Sequence, residues 1–224
     1  MTSFPAAPFD AGRPAGSSLL PTAQFPLTLE FKFSLFTELR VTDAGGQLVA
    51  VVKEKTFSIR DEVKVFADEG RTRQLYGMRA HGLMAGALDW RAKRLIRRVD
   101  GSDVGALQAQ GMRTLWAASY ELLDAPGHVR FTIRDDQPWL GIVEGVIGAI
   151  PFIGDLIAMG FDYLINPTYT VTDAGDQPAL RVRKRRSLFS RRFVVEALRP
   201  VQPQEEELLL LGLVQLVLRE RERG

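Results

Sequence analysis

The sequence predicts an all-β fold closed into an antiparallel barrel that surrounds one apolar helix. Three observations carry this: short runs of alternating apolar and polar residues, Asp- and Gly-centred turns recurring between them, and a C-terminal segment apolar on every side. A β-sandwich built from the same strands is the rival arrangement.

The first 26 residues, MTSFPAAPFDAGRPAGSSLLPTAQFP, hold five prolines and neither a basic start nor a continuous apolar run. They read as an extended or disordered tail rather than a signal peptide, leaving residues 27–224 as a single domain. With 46% hydrophobic and 25% charged residues the remainder is globular in composition. The lack of cysteine excludes disulfides, thiolate metal sites, thiol nucleophiles and acylated thiols. It suits a reducing compartment, so the expected location is cytoplasmic, peripheral to a membrane.

Leu27, Leu29, Phe31, Phe33 and Leu35 alternate with polar residues, as one buried face of a strand requires. Leu39-Arg40-Val41 then leads through Asp43-Ala44-Gly45-Gly46 into Leu48 to Val52, a strand, turn and strand. The same grammar recurs around Asp100-Gly101, Asp124-Ala125-Pro126-Gly127 and Asp173-Ala174-Gly175. Two of these stretches match residue for residue: Val41 to Gly45 returns as Val171 to Gly175, Gln47 as Gln177 and Val52 as Val182. Phe57-Ser58 matches Phe189-Ser190 after a slip of two. We expect one hairpin used twice. Simple recurrence of a good turn accounts for the Asp and Gly but not for the Phe-Ser match.

At the C-terminus Gln204-Glu205-Glu206-Glu207 precedes LLLLGLVQLVLRERERG. Acidic residues at the start and arginines at the end complement a helix dipole over 205–221. Its apolar part, Leu208 to Leu218, reaches only about 17 Å, well short of the ~30 Å hydrocarbon core of a bilayer. Burial inside the protein follows. A helix about 10–12 Å thick does not fit an eight-stranded barrel, which its own side chains fill, so more strands are needed.

Residues 139–165, WLGIVEGVIGAIPFIGDLIAMGFDYLI, are long enough to span a bilayer but carry Glu144, Asp155 and Asp162 in nearly one direction. A central Asp in hydrocarbon costs about 2.5–3.5 kcal/mol, which favours a helical insertion kinked at Pro151 and packed on the barrel over a membrane span.

Neither His81 nor His128 has a partner at a metal-ligand or catalytic spacing, and no Walker A or dinucleotide-binding glycine pattern occurs. Asp135-Asp136 ends a strand, and Glu205 to Glu207 cap a helix. No catalytic residue, metal or cofactor is expected, and a non-enzymatic role is the outcome.

The basic clusters carry the functional signal. Arg181, Arg183, Lys184, Arg185, Arg186, Arg191 and Arg192 place seven cations in twelve residues with no acid among them, around the apolar tip Ser187-Leu188-Phe189-Ser190. Arg91, Lys93, Arg94, Arg97 and Arg98 form a second patch. Solvated strand charge is the plain explanation. An anionic membrane surface or phospholipid headgroup is the functional one, each nearby cation adding about 1 kcal/mol. Nucleic acid is disfavoured because Phe189 and Phe193 are the only aromatic platforms near the larger cluster.

The strand and DAG-turn repeats, Lys55-Thr56-Phe57-Ser58-Ile59-Arg60-Asp61-Glu62, Gly111-Met112-Arg113-Thr114, Phe189-Ser190-Arg191-Arg192-Phe193 and the closing apolar helix together resemble the LURP-one-related group of the tubby C-terminal-like superfamily. Phospholipid scramblases belong to the same superfamily. The resemblance spans Leu27 to Gly224 and rests on the order of these stretches. It implies a closed antiparallel barrel of about twelve strands around the C-terminal helix, built from two similar halves. It also implies lipid binding, since tubby-type domains bind phosphoinositides, although no binding residue of the family matches here. Two departures argue against lipid scrambling: no cysteine cluster, and no scramblase-like calcium segment before the final helix. The resulting expectation is a domain that binds anionic phospholipid headgroups or membrane surfaces. The alternatives are a protein-interaction scaffold using residues 139–165, a membrane-inserted scramblase-like protein, and an enzyme with a site inside the barrel.

Overall fold

A computed structural model describes residues 18–32, 37–54, 62–80, 93–110, 119–136, 168–185 and 192–223. In chain order these form β1 (Leu27–Lys32), β2 (Thr37–Thr42), β3 (Leu48–Glu54), β4 (Glu62–Phe66), β5 (Gln74–Ala80), β6 (Arg94–Arg98), β7 (Asp103–Ala109), β8 (Ser119–Asp124), β9 (Val129–Asp135), β10 (Thr168–Asp173), β11 (Pro178–Arg185), β12 (Arg192–Ala197) and α1 (Pro203–Arg223). Each strand pairs antiparallel with its chain neighbours, and β12 closes on β1 through Leu29 opposite Phe193, so the sheet is a closed twelve-strand barrel. Closure satisfies every edge, and the alternation that predicted the strands puts Leu27, Leu29 and Phe31 inside. The anticipated helical insertion at 139–165 and the Phe-Ser halves of the repeat lie outside the described residues.

The barrel's two ends differ. Hairpins β2–β3, β4–β5, β6–β7, β8–β9 and β10–β11 turn at the end where α1 begins. The strand termini at which the chain leaves the described residues lie at the other end, where α1 finishes. Each of the five hairpins carries a register shift beside its turn. Three turns share one hydrogen-bond pattern. The Asp43 amide donates to the Gln47 carbonyl at 3.0 Å and its carboxylate accepts from the Gln47 amide at 2.8 Å. Asp173 with Gln177 and Asp124 with His128 repeat both bonds. Gly46 and Asp176 sit at the equivalent position with positive φ, 77° and 57°.

This corrects the expectation of two halves marked by the doubled VTDAG. The matched hairpins are β2–β3 and β10–β11, eight strands apart, whereas halves of a twelve-strand barrel repeat after six. The hairpin six strands beyond β2–β3 is β8–β9, which has the same turn bonds without the sequence match. The recurrence therefore follows turn chemistry: an Asp that accepts amides across the bulge closes the hairpin wherever it stands.

The helix occupies the barrel's axis. Leu208, Leu209, Leu210, Leu211, Leu213, Val214, Leu216, Val217 and Leu218 are all buried, as an all-round apolar helix demands. It lies closest to β7 and β8 because two glycines permit it. A Cβ on Gly212 would fall 2.3 Å from a Leu122 methyl, and one on Gly105 only 2.1 Å from the Leu123 carbonyl oxygen and 2.9 Å from Leu208 Cδ1. The Leu122 side chain can turn aside; the Leu123 backbone cannot. Gly105→Ala is therefore expected to destabilise the barrel by about 2–3 kcal/mol in a denaturant melt, and a loss under about 0.5 kcal/mol would contradict this packing.

The N-terminal boundary also moves. Residues from Ser18 onward cross the end where α1 begins, with Leu20 and Ala23 in the core rather than in a free tail. The Leu19 amide donates to the Tyr76 hydroxyl and the Ala23 amide to Glu206 Oε1, each at 2.8 Å, while the Ala44 amide donates to the Gln24 carbonyl at 2.9 Å. Buried apolar side chains and satisfied amides hold an extended segment without a strand partner. The acidic run also does more than cap. Glu205 accepts from the Gln202 amide at 3.2 Å, a helix-capping contact, but Glu206 holds the N-terminal segment and Glu207 turns into the barrel.

Candidate functional site

Strand alternation sorts the larger basic cluster. On β11, Leu180 and Val182 point inward, so Arg181, Arg183 and Arg185 point outward, and Lys184, opposite the buried Phe193, falls on the inner face. Arg192 stands on the outer face of β12 opposite Arg185. Arg186 and Arg191 lie outside the described residues. One neighbouring arginine that the cluster did not include adds to the outward row: Arg134 on β9, in register with Thr170 of β10. Alternation in VRFTIRD was the available signal, with Phe131 and Ile133 fixing the inward face.

The outer positions of β9 to β12 are thus Thr132, Arg134, Thr168, Thr170, Thr172, Arg181, Arg183, Arg185, Arg192, Val194 and Glu196, while Arg130, the extra residue of the β8–β9 bulge, turns toward Glu205 at the end where α1 begins. Five arginines share this wall with Glu196 and with Asp136, which accepts the Thr170 hydroxyl at 3.0 Å just beyond β9, and no aromatic ring stands among these positions. Arg183 reaches Glu196 at 3.3 Å, Arg192 reaches Glu30 on β1 at 2.7 Å, and Arg134 reaches the turn residue Asp176 at 3.8 Å. Arg185 and Arg192 are like charges facing each other across adjacent strands, which opposes pairing. Elsewhere the outer wall is balanced. Glu38 sits between Lys32 and Arg71, Arg40 pairs with Glu69, Arg79 with Glu62 and Arg97 with Asp103.

The second patch does not survive folding as a surface. Arg94 and Arg98 alternate inward on β6 while Arg97 points out to Asp103 at 2.6 Å; Lys93 is half-buried and Arg91 lies outside the described residues. Arg98 is only 10% exposed and clamps Glu207, its Nε donating to Oε1 at 3.0 Å and its Nη2 to Oε2. Glu207 Oε1 also accepts the Tyr76 hydroxyl at 2.7 Å. Burial first, and the Glu207 carboxylate second, push that phenol above the ordinary tyrosine range.

Beside this triad a pocket of about 220 Å³ opens between the turn end of the barrel and the start of α1, edged by Ser18, Asp103, Asp124 and Arg130. Its carboxylates are committed to protein partners. Asp124 accepts the Gly127 and His128 amides, and Glu205 holds Arg199, which also reaches Asp173. The hydrogen bonds from Arg199 hold Glu205 below the usual carboxylate range. No group of three or more potential metal ligands occurs among the described residues.

The outer wall also bears on how the barrel could meet a membrane. Charged residues point outward along most strands and the apolar residues point in, the inverse of a lipid-embedded barrel, where each midplane arginine costs about 2–4 kcal/mol. Among the described residues no helix is long and apolar enough to cross a membrane. Comparison with protein-family models, with curated proteins and with solved structures finds no match to this chain.

Proposed function

We propose that the protein is a non-enzymatic LURP-one-related, tubby-like domain whose outer β9–β12 wall binds anionic phospholipid headgroups at a membrane surface. The observation that carries this reading is the outward row of five arginines against Glu196 and Asp136, including the Arg185–Arg192 pair that sheet pairing alone disfavours. Guanidinium forks hold phosphate oxygens two at a time. An aromatic-free wall offers bases nothing to stack on, which favours headgroups over single-stranded nucleic acid. A closed twelve-strand barrel around a C-terminal helix supports the family assignment.

The test is co-sedimentation with phosphatidylcholine vesicles with or without phosphatidylserine. At about 1 kcal/mol per cation, the Arg181→Ala, Arg183→Ala, Arg185→Ala triple variant is expected to bind the anionic vesicles about a hundredfold more weakly. Lys184→Ala, on the inner face, should bind as the parent does. Thermal stability should change little, because exposed charges hold the fold weakly, and parent binding should fall with salt over a Debye length of about 8 Å. A parent indifferent to anionic vesicles at low salt, or a triple variant that binds them equally well, would remove the proposal's support.

A further inference from the structure

We propose, on the reading of the β9–β12 wall as a membrane-binding surface, that Glu196 and Glu30 mark two headgroup-phosphate subsites, each carboxylate standing in for a phosphate until a membrane supplies one. Each glutamate serves two arginines. Glu196 on β12 stands in register with Arg181 of β11 and reaches Arg183, the next outward residue of that strand, at 3.3 Å. Glu30 on β1 stands in register with Arg192 of β12 and reaches it at 2.7 Å, while Arg192 faces Arg185 of β11 on its other side. Glu30 thereby offsets the like charges of Arg185 and Arg192. The four side chains of the two ion pairs are 34–47% exposed, so each pair is open to an exchange of partners from outside.

Carboxylate and phosphate compete for the same guanidinium, because both offer two oxygens to its fork. An exposed ion pair is weak and yields readily. Once a headgroup phosphate takes the arginine, the displaced glutamate is left against an anionic surface and opposes binding about as strongly as one arginine assists it. Spacing keeps the two subsites apart. Positions 192 and 196 of β12 are separated by about 13 Å along the strand, so one phosphate cannot serve both. Binding that must displace two carboxylates with two phosphates rises more steeply than in proportion to the density of anionic lipid. A third pair, Arg134 with Asp176, is longer at 3.8 Å and ends on a turn residue whose positive φ a substitution would disturb. On the opposite arc of the barrel Glu62 and Arg79 make an exposed pair of the same kind between β4 and β5, at 2.6 Å.

The experiment is co-sedimentation of the full chain with phosphatidylcholine vesicles that carry a rising fraction of phosphatidylserine. Glu196→Gln and Glu30→Gln each remove one stand-in at nearly constant shape, and each is expected to tighten binding about fivefold at fixed composition. The double variant should gain about twenty-five-fold, since sites this far apart act additively, and should reach half-maximal binding at a lower phosphatidylserine fraction. Glu62→Gln makes the same change in net charge away from the wall and should stay within about twofold of the parent. All of these variants should melt within about 2 °C of the parent, because exposed pairs hold the fold weakly. Equal tightening by Glu62→Gln overturns the proposal, since overall charge then explains the gain. A parent that binds while the double variant binds no tighter also overturns it and leaves the wall reading standing. A parent and a double variant that both ignore the vesicles overturn the two together.

Discussion

Removing residues 204–224 is expected to abolish folding altogether. Nine apolar side chains of α1 are buried along the barrel axis, and each contributes about 1.5–3 kcal/mol of burial. Together they amount to about 14–27 kcal/mol, as much as or more than the about 5–15 kcal/mol by which a domain of this kind is stable. The wall cannot collapse to fill the gap, because a closed barrel fixes its radius through its strand number and hydrogen-bond register. The inward faces that would be left wet include Leu122, whose methyls touch Gly212, and Met78, whose sulfur meets Gln215. Circular dichroism and a thermal melt of the truncated chain settle the matter. A cooperative transition near that of the full chain would mean that the barrel does not depend on its axis.

The same helix shows what the sequence could reveal. Leu208 to Leu218 is apolar on every side and too short for a bilayer, so its burial in protein, and a barrel wide enough to receive it, follow from length and thickness alone. Strand existence was equally legible, since Leu27 to Phe31 alternates as cleanly in the chain as on the wall. What a single strand cannot show is its neighbours. Lys184 and Arg185 look equivalent in a basic run, and only opposition to Phe193 and Arg192 sends one inward and one outward. Arg98 looks like surface charge until Glu207, 109 residues on, meets it inside the barrel. The repeated VTDAG misled for a related reason. Turn chemistry is local and recurs wherever a hairpin needs it, whereas the symmetry of a barrel is a matter of strand counting. Glu206 and Glu207 show the limit of dipole arguments: negative charge suits a helix start, but which partner each carboxylate finds depends on what the fold brings across it.

Glu207→Ala is expected to cost about 3–5 kcal/mol, the largest loss from any single side chain in the polar part of the core. Its carboxylate is 7% exposed and receives both Arg98 and the Tyr76 hydroxyl, so its removal strands a buried guanidinium and a buried phenol together. The adjoining pocket of about 220 Å³ gives water a route to Arg98 and pulls the cost toward the lower end of that range. Replacing both charges, as in Arg98→Met with Glu207→Leu, should recover most of the loss, since no charge is then left unpaired. Two further readouts separate this network from simple packing. The Leu19 amide, which donates to the Tyr76 hydroxyl, should exchange with solvent faster in Glu207→Ala as the N-terminal segment loosens. Alkaline unfolding should change as well. Burial and then the Glu207 hydrogen bond raise the Tyr76 pKa in the folded chain, so the folded state holds that proton more tightly than the unfolded state does. The resulting stability is complete below the unfolded value of about 10 and is lost as pH rises above it. Without Glu207 part of the shift disappears, and the decline above pH ~10 should become shallower. A Glu207→Ala protein within about 1 kcal/mol of the parent, with unchanged exchange at Leu19, would show that the buried triad is incidental to the barrel.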